Sequence, residues 1–177
     1  MARRRGKRAP GKPTTMTFPH LHLAVLDAVG YDADGDLNIQ PEPSFNETGE
    51  ARNADETYGT HIMGRFTCDN AGCHKPGWGS KKVFIVVCQY SDDSYNAIVY
   101  SQRCKSCNEL GKFAMDERSY IERVSYRLKR WAGVDVAKPP YEYKKGEPHE
   151  TEYCEGCKVG KCSKGGRRAS EWDLWDI

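Results

Sequence analysis

No apolar run in this 177-residue chain is longer than "VFIVVC", Val83 to Cys88. A helix that crosses a bilayer needs about 20 apolar residues, so no membrane span is expected. The opening "MARRRGKRAPGKP" is not followed by an apolar stretch of the length a secretory signal requires. The chain is therefore expected in the cytoplasm, the nucleus or both, where thiols stay reduced. There the Asn46-Glu47-Thr48 sequon would not meet the glycosylation machinery. A recognisable pairing of catalytic base and nucleophile is also missing, so an enzyme with a small-molecule substrate is not expected.

What the chain does have is charge in blocks and thiols in pairs. Residues 1 to 13 carry six Lys/Arg and no acid, and residues 27 to 57 carry nine Asp/Glu against one Arg. The remaining body is mildly basic, and the blocks nearly cancel to a formal net charge of +2. With 38% hydrophobic residues, the chain is sized for one modest domain plus tails. Residues 1 to 13 form a basic arm and 31 to 57 an acidic, Pro/Asn/Gly-rich linker that buries too little apolar surface to order itself alone.

Periodicity predicts two helices and a hairpin. Over residues 14 to 30, Leu21, Val25 and Val29 repeat every four residues, with Gly30 as a stop. The stronger pattern runs from Asp116 to Gly133. There Ser119 and Glu122 match a capping box, Ile121, Val124, Leu128 and Trp131 line one face, and Gly133 stands at the cap position. Arg123, Arg127, Lys129 and Arg130 occupy the other side, which reads as a solvated face before a binding face and carries charge suited to the helix C-terminus. Val83 to Tyr90 and Tyr95 to Cys104 read as β-strands joined by the turn "SDDS".

Eight cysteines in a reducing compartment read as metal ligands before disulfides. Cys68 with Cys73 forms C-x4-C, Cys104 with Cys107 forms C-x2-C, and "HETEYCEGCKVGKC" places His149, Cys154, Cys157 and Cys162 within one short stretch. Two thiolates on a C-x2-C turn converge on one ion, and eight soft donors fill two four-coordinate shells. The expectation is two zinc ions. Cys68, Cys73, Cys104 and Cys107 would hold one, brought together at the ends of the hairpin. His149, Cys154, Cys157 and Cys162 would hold the other, with His74 as the alternative non-thiol ligand. Cys88 lies inside the apolar strand and reads as a small buried hydrophobe. His20, His22 and His61 show no convergent partners and read as structural.

The ordered runs "MGRFTCDNAGC", "GWGSKKVFIVV", "YNAIVYSQRCKSC", "SYIERVSYRLKRWAG" and "HETEYCEGCKVGKC" resemble the 3CxxC-type zinc-binding domain in the form found in small fungal proteins. The resemblance covers about residues 59 to 162 and implies an α+β fold. That fold is a small zinc-stabilised antiparallel sheet of zinc-ribbon-like hairpins, with one packed amphipathic helix and a short N-terminal helix. Its three pairs fall on Cys68 with Cys73, Cys104 with Cys107, and Cys154 with Cys157. The first pair departs from the family spacing, with four intervening residues in place of two. The same domain type occurs in animal receptor-transporting proteins, and a related cysteine pattern in zygote-arrest proteins, which bind RNA. No counterpart of the hydrophobic C-terminal anchor of receptor-transporting proteins is expected. The zinc-binding domain is thus expected over residues 58 to 165, followed by a Trp/acid tail over 166 to 177.

Two partner classes follow from the surfaces. RNA would be gripped by Arg3, Arg4, Arg5, Lys7, Arg8 and Lys12 of the arm and by Lys81, Lys82, Arg103, Lys105, Lys158 and Lys161 around the knuckles. Lys164, Arg167 and Arg168 would add to them, and Trp78 and Tyr95 would be stacking platforms, unless the arm is a nuclear address or a disordered solubiliser and Trp78 belongs to the core. A client protein would instead be met by the tail "SEWDLWDI", in which Trp172, Leu174, Trp175 and Ile177 alternate with acids, a pattern that fits either a short linear motif presented to a partner or a strand docked on the body.

Overall fold

A computed structural model describes residues 12–30, 40–41, 54–137 and 149–162. The tail residues Trp172, Leu174, Trp175 and Ile177, most of the basic arm and most of the acidic linker lie outside them. Among the described residues the strands are β1 (Thr15–Met16), β2 (Gln40–Pro41), β3 (Glu56–Thr67), β4 (Gly77–Gln89), β5 (Ser94–Tyr100) and β6 (Lys112–Met115). The helices are α1 (His22–Val29), α2 (Glu117–Trp131) and the short α3 (Glu155–Lys158). Five strands form an antiparallel sheet in the order β1-β5-β4-β3-β6, and β2 pairs parallel with β5.

The α+β architecture is the expected one, but its centre is longer than the predicted hairpin. The backbone of the sheet is the β3–β4 pair, in register from Glu56↔Gln89 to Thr67↔Gly77 with one irregularity between Ile62 and Gly64. The β4–β5 turn keeps its Asp/Ser chemistry: Asp93 takes a positive φ of 61° and Ser94 N–H donates to the Asp92 carboxylate. Asp tolerates that left-handed conformation better than most residues.

Each face of the sheet is covered by a different part of the chain. On one face Ile62, Phe66, Val83, Ile85, Val87, Ala97 and Val99 pack with Val25 and Val29 of α1 and with Tyr120, Val124 and Leu128 of α2. On the other, Phe84, Cys88, Ile98 and Tyr100 pack with Cys154 and Cys162 of the C-terminal segment. Every residue of β5 is consequently buried. Burial on both faces explains the unbroken apolar run in β4, because an antiparallel strand with one wet face would alternate.

The helices realise the predicted periodicities, and one of them differs in its cap. Leu21, Val25 and Val29 are buried while Leu23 is exposed, and Gly30 closes α1 at a φ of 75°. Helix α2 begins before the expected capping box. Its N-cap is Asp116, whose carboxylate accepts from Ser119 N–H, while the Ser119 hydroxyl donates back to Asp116 O and accepts from Met63 N–H. An Asp at this position satisfies an orphan amide and favours the positive end of the helix dipole, so it prevails over Ser119. Arg127 departs from the solvated face: its guanidinium lies 4.3 Å from the centre of the Tyr58 ring and 4.8 Å from that of Trp131.

Candidate metal centres

The first set of thiols is assembled by two loops that the sheet brings side by side. Cys68 and Cys73 lie between β3 and β4, and Cys104 and Cys107 between β5 and β6. Pairing of β6 with β3, from Gly64↔Met115 to Thr67↔Lys112, sets one loop against the other. This pairing, together with the β3–β4 hairpin, closes the site where a β4–β5 hairpin alone would not. Cys68 Sγ is then 3.5 Å from Cys107 Sγ, and Cys73 Sγ is 3.7 Å from Cys104 Sγ. Sulfurs on a tetrahedral zinc, with Zn–S near 2.3 Å, sit about 3.8 Å apart.

Local turn chemistry aims each thiol. The enlarged first loop is tightened by Asn70, whose side chain accepts from Gly72 N–H and whose carbonyl accepts from Cys73 N–H at 2.9 Å. In the second loop Asn108 N–H returns to Cys104 O at 2.8 Å, and Asn108 adopts a φ of 58°. Asparagine enters this left-handed region at little cost, which lets the chain reverse directly after the second thiol.

The second set is carried almost entirely by the C-terminal segment. Cys154 precedes α3, Cys157 lies within it, and Lys161 and Cys162 both donate their N–H to Gly156 O as the chain turns back. His149 Nε2 lies 3.1 Å from Cys157 Sγ and 3.6 Å from Cys162 Sγ. In each set of four, all the ligand atoms fall within 4.8 Å of one another.

Electrostatics within the sets explain why a cation belongs there. Burial opposes ionisation of Cys104, but the backbone N–H groups of Ser106 and Cys107 and the thiols of Cys73 and Cys107 prevail and bring it down to about 7. The Cys162 thiol draws Cys154 down to about 4 against burial, helped by His149 and by the Cys157 N–H. Their neighbours respond in the opposite sense. Asn70 N–H favours the Cys68 thiolate, yet burial and the three neighbouring thiols push it up to about 12, and burial with the Cys154 charge pushes Cys157 up to about 11. One thiolate forms readily in each cluster and discourages the next, so ionisation of every thiol in a set calls for a dication among them. Thiolate and imidazole donors gathered four to a set are those that a tetrahedral zinc takes.

A family model described as a zinc-binding domain, Zn_ribbon_3CxxC, matches residues 61–160. The chain belongs to the 3CxxC zinc-ribbon family. No curated protein and no solved structure matches it. The two donor sets of this 3CxxC protein fit two zinc ions. His74 is exposed and stands outside both sets, whereas Cys88 is fully buried in β4 with its thiol raised to about 11 by desolvation.

His61 was expected to have no convergent partners, and the fold corrects that. It lies on β3 with Nε2 3.6 Å from Cys162 Sγ and its ring centre 6.0 Å from that of His149. Nothing in local sequence marks it, because the approach depends on which face of β3 it occupies. His22 and His20 are structural as expected: His22 Nδ1 meets the Tyr95 hydroxyl at 3.0 Å, and the His20 ring meets Phe18 edge-on.

The expected nucleic-acid residues separate into groups. Arg3, Arg4, Arg5, Lys7, Arg8, Lys164, Arg167 and Arg168 lie outside the described residues. Several others are engaged within the fold. Lys12 Nζ is 3.1 Å from Asp69 and donates to Leu110 O, Lys105 Nζ is 2.6 Å from Glu150, and Lys158 Nζ is 2.9 Å from Glu155. Arg103 binds Glu155 and the Asn108 carbonyl. Lys81 and Lys161 are exposed and Lys82 is half-buried. The expected stacking platforms are also taken up. Tyr95 is buried, and Trp78 stacks on Phe66 at 5.1 Å while its Nε1 donates to Gln102 Oε1.

Proposed function

We propose that this 3CxxC domain is a non-enzymatic module that binds single-stranded RNA through a basic face of its sheet. Four protein donors complete each zinc shell, so the metal supplies folding energy and offers no open position for an attacking water. The observation that carries the reading is the outer face at the β4-β3-β6 end. Arg65 of β3 faces Gly79 of β4 and Ala114 of β6, and Thr67 faces Gly77 and Lys112. Arg65 and Lys112 are exposed there, Lys81 is exposed two residues along β4 from Gly79, and residues 63–67, 77–81 and 112–115 contain no acid. Small residues between the cations leave a flat floor on which a flexible phosphate backbone can lie.

The basic arm would extend that contact, and the resemblance to zygote-arrest proteins supports the same partner class. Such a module would work in the cytoplasm or the nucleus. The competing reading, an adaptor for a client protein of the kind implied by receptor-transporting proteins, is separated by one binding experiment. Labelled single-stranded RNA is titrated with the zinc-loaded chain over a salt series. The intact chain should bind in a salt-sensitive manner, and Arg65→Gln with Lys81→Gln and Lys112→Gln should reduce the log–log salt slope by about 2, at roughly 0.7 per lost phosphate contact. Absence of salt-sensitive binding by the intact chain defeats the RNA reading and favours the adaptor.

A further inference from the structure

We infer that His61 is a positioning residue of the second zinc site, donating an Nε2–H···S hydrogen bond that holds and shields the Cys162 thiolate. The inference concerns the metal centre and is independent of any RNA partner. His61 does not belong to the set of four donors that lie within 4.8 Å of one another, so it stands outside the zinc shell while reaching one of its members. Its Nε2 lies 3.6 Å from Cys162 Sγ, within range for a hydrogen bond to sulfur.

The placement comes from the rigid part of the fold. His61 is mid-strand in β3, opposite Phe84, near the end of an unbroken run of pairs from Glu56 to Ile62 and just before the irregularity between Ile62 and Gly64. Its neighbour Ile62 faces the helices, so His61 faces the C-terminal segment by strand alternation. The ring packs 5.7 Å from Phe84, which is itself buried. Cys162, by contrast, follows the short α3 and is held by its N–H to Gly156 O. A side chain fixed by the sheet thus meets the last ligand of a site otherwise built from one short piece of chain.

The chemistry fixes the direction of the bond. A zinc-bound thiolate has no proton and only accepts, so the imidazole nitrogen facing it must carry the hydrogen. Donation to a bound sulfur withdraws electron density, orients the ligand and lowers its reactivity toward electrophiles. Removal of such outer partners commonly costs tenfold or more in metal affinity.

The test uses the full chain loaded with two zinc ions and compares wild type, His61→Gln and His61→Phe. Glutamine retains an N–H donor, while phenylalanine retains the ring and loses it. Alkylation by iodoacetamide is followed at each cysteine by peptide mass spectrometry, with Cys68, Cys73, Cys104 and Cys107 as an internal reference. His61→Phe should raise the Cys162 rate about tenfold relative to that reference and His61→Gln should restore most of the protection. Cobalt substitution supplies a second readout: the thiolate-to-cobalt absorption band should shift in His61→Phe and return toward wild type in His61→Gln. Unchanged Cys162 reactivity in His61→Phe overturns the inference. So does equal loss of the second metal in both variants, which would make His61 a ligand or an irreplaceable packing element. Loss in His61→Phe alone supports the donor role.

Discussion

Arg103 donates from Nε to Glu155 Oε1 at 2.6 Å and from a terminal nitrogen to Asn108 O at 2.9 Å. Asn108 directly follows Cys107, and Glu155 directly follows Cys154. One guanidinium therefore fastens the knuckle of the first zinc site to that of the second. The backbone reinforces the link, since Arg103 N–H donates to Tyr153 O at 2.7 Å and Glu155 N–H to Ser101 O at 3.1 Å.

Arg103→Met should consequently weaken both sites. It leaves the Glu155 carboxylate largely buried with less compensation and frees the Asn108 carbonyl, a change expected to cost roughly 2–4 kcal/mol. Denaturant unfolding of the zinc-loaded chain measures the cost, and chelator competition measures affinity at each site. A variant that loses affinity at one site only would show that the sites are independent.

Glu155 also sets an acid limit on the link. Burial raises its carboxyl but the hydrogen bonds from Arg103 and Lys158 outweigh that, leaving it below the usual value. A carboxyl lowered on folding contributes stability above its unfolded value, near 4.3, and loses it as pH falls through the folded value. Zinc ligands protonate in acid as well, so the informative measurement is the difference between wild type and Glu155→Gln. That difference in unfolding free energy should be full near neutral pH and shrink below about pH 4. A pH-independent difference would exclude this role.

Native mass spectrometry should find two zinc ions per chain, with one ion or none refuting the pair of sites. Cys107→Ser or Cys157→Ser should each lose metal and solubility, because the binding energy of a closed site is folding energy. Cys88→Ala should retain both ions and lose roughly 1 kcal/mol of packing. Metal loss from Cys88→Ala would reassign the ligands.

Two glycines test how the second site is seated. A Cβ at Gly156 would stand 2.6 Å from Phe84 Cδ1, whereas one at Gly79 would meet nothing within 4 Å. Phe84 is locked in the β4 core, so Gly156→Ala must lift the Cys154–Cys157 turn and should cost about 1–3 kcal/mol. Gly79→Ala should fold and bind zinc as wild type does. Equal thermal stability of the two variants would show that the turn does not rest on Phe84.

The ligands of the second site were legible in the sequence because His149, Cys154, Cys157 and Cys162 are joined by few bonds, and a short turn leaves them little choice but to converge. The faces of α1 and α2 were legible for a related reason: helical period links neighbours three and four residues apart, as with Leu21, Val25 and Val29. Asp116 marked the start of the pattern, but its role as cap escaped notice because Ser119 offered a competing cap three residues later.

Relations between distant strands were decided only by the tertiary structure. The sequence grouped Cys68, Cys73, Cys104 and Cys107 on one ion, but the route by which they meet is the pairing of β6 with β3 and not the β4–β5 hairpin, and no local spacing encodes that pairing. Trp78, Tyr95 and Arg103 have side chains equally suited to a wet surface, and packing against Phe66, His22 and Glu155 drew them into the fold. His61 is the sharpest case. Cys162 lies 101 residues further along the chain, and whether a β-strand histidine meets it depends on strand parity and register, since a slip of one residue would turn the imidazole toward the helices.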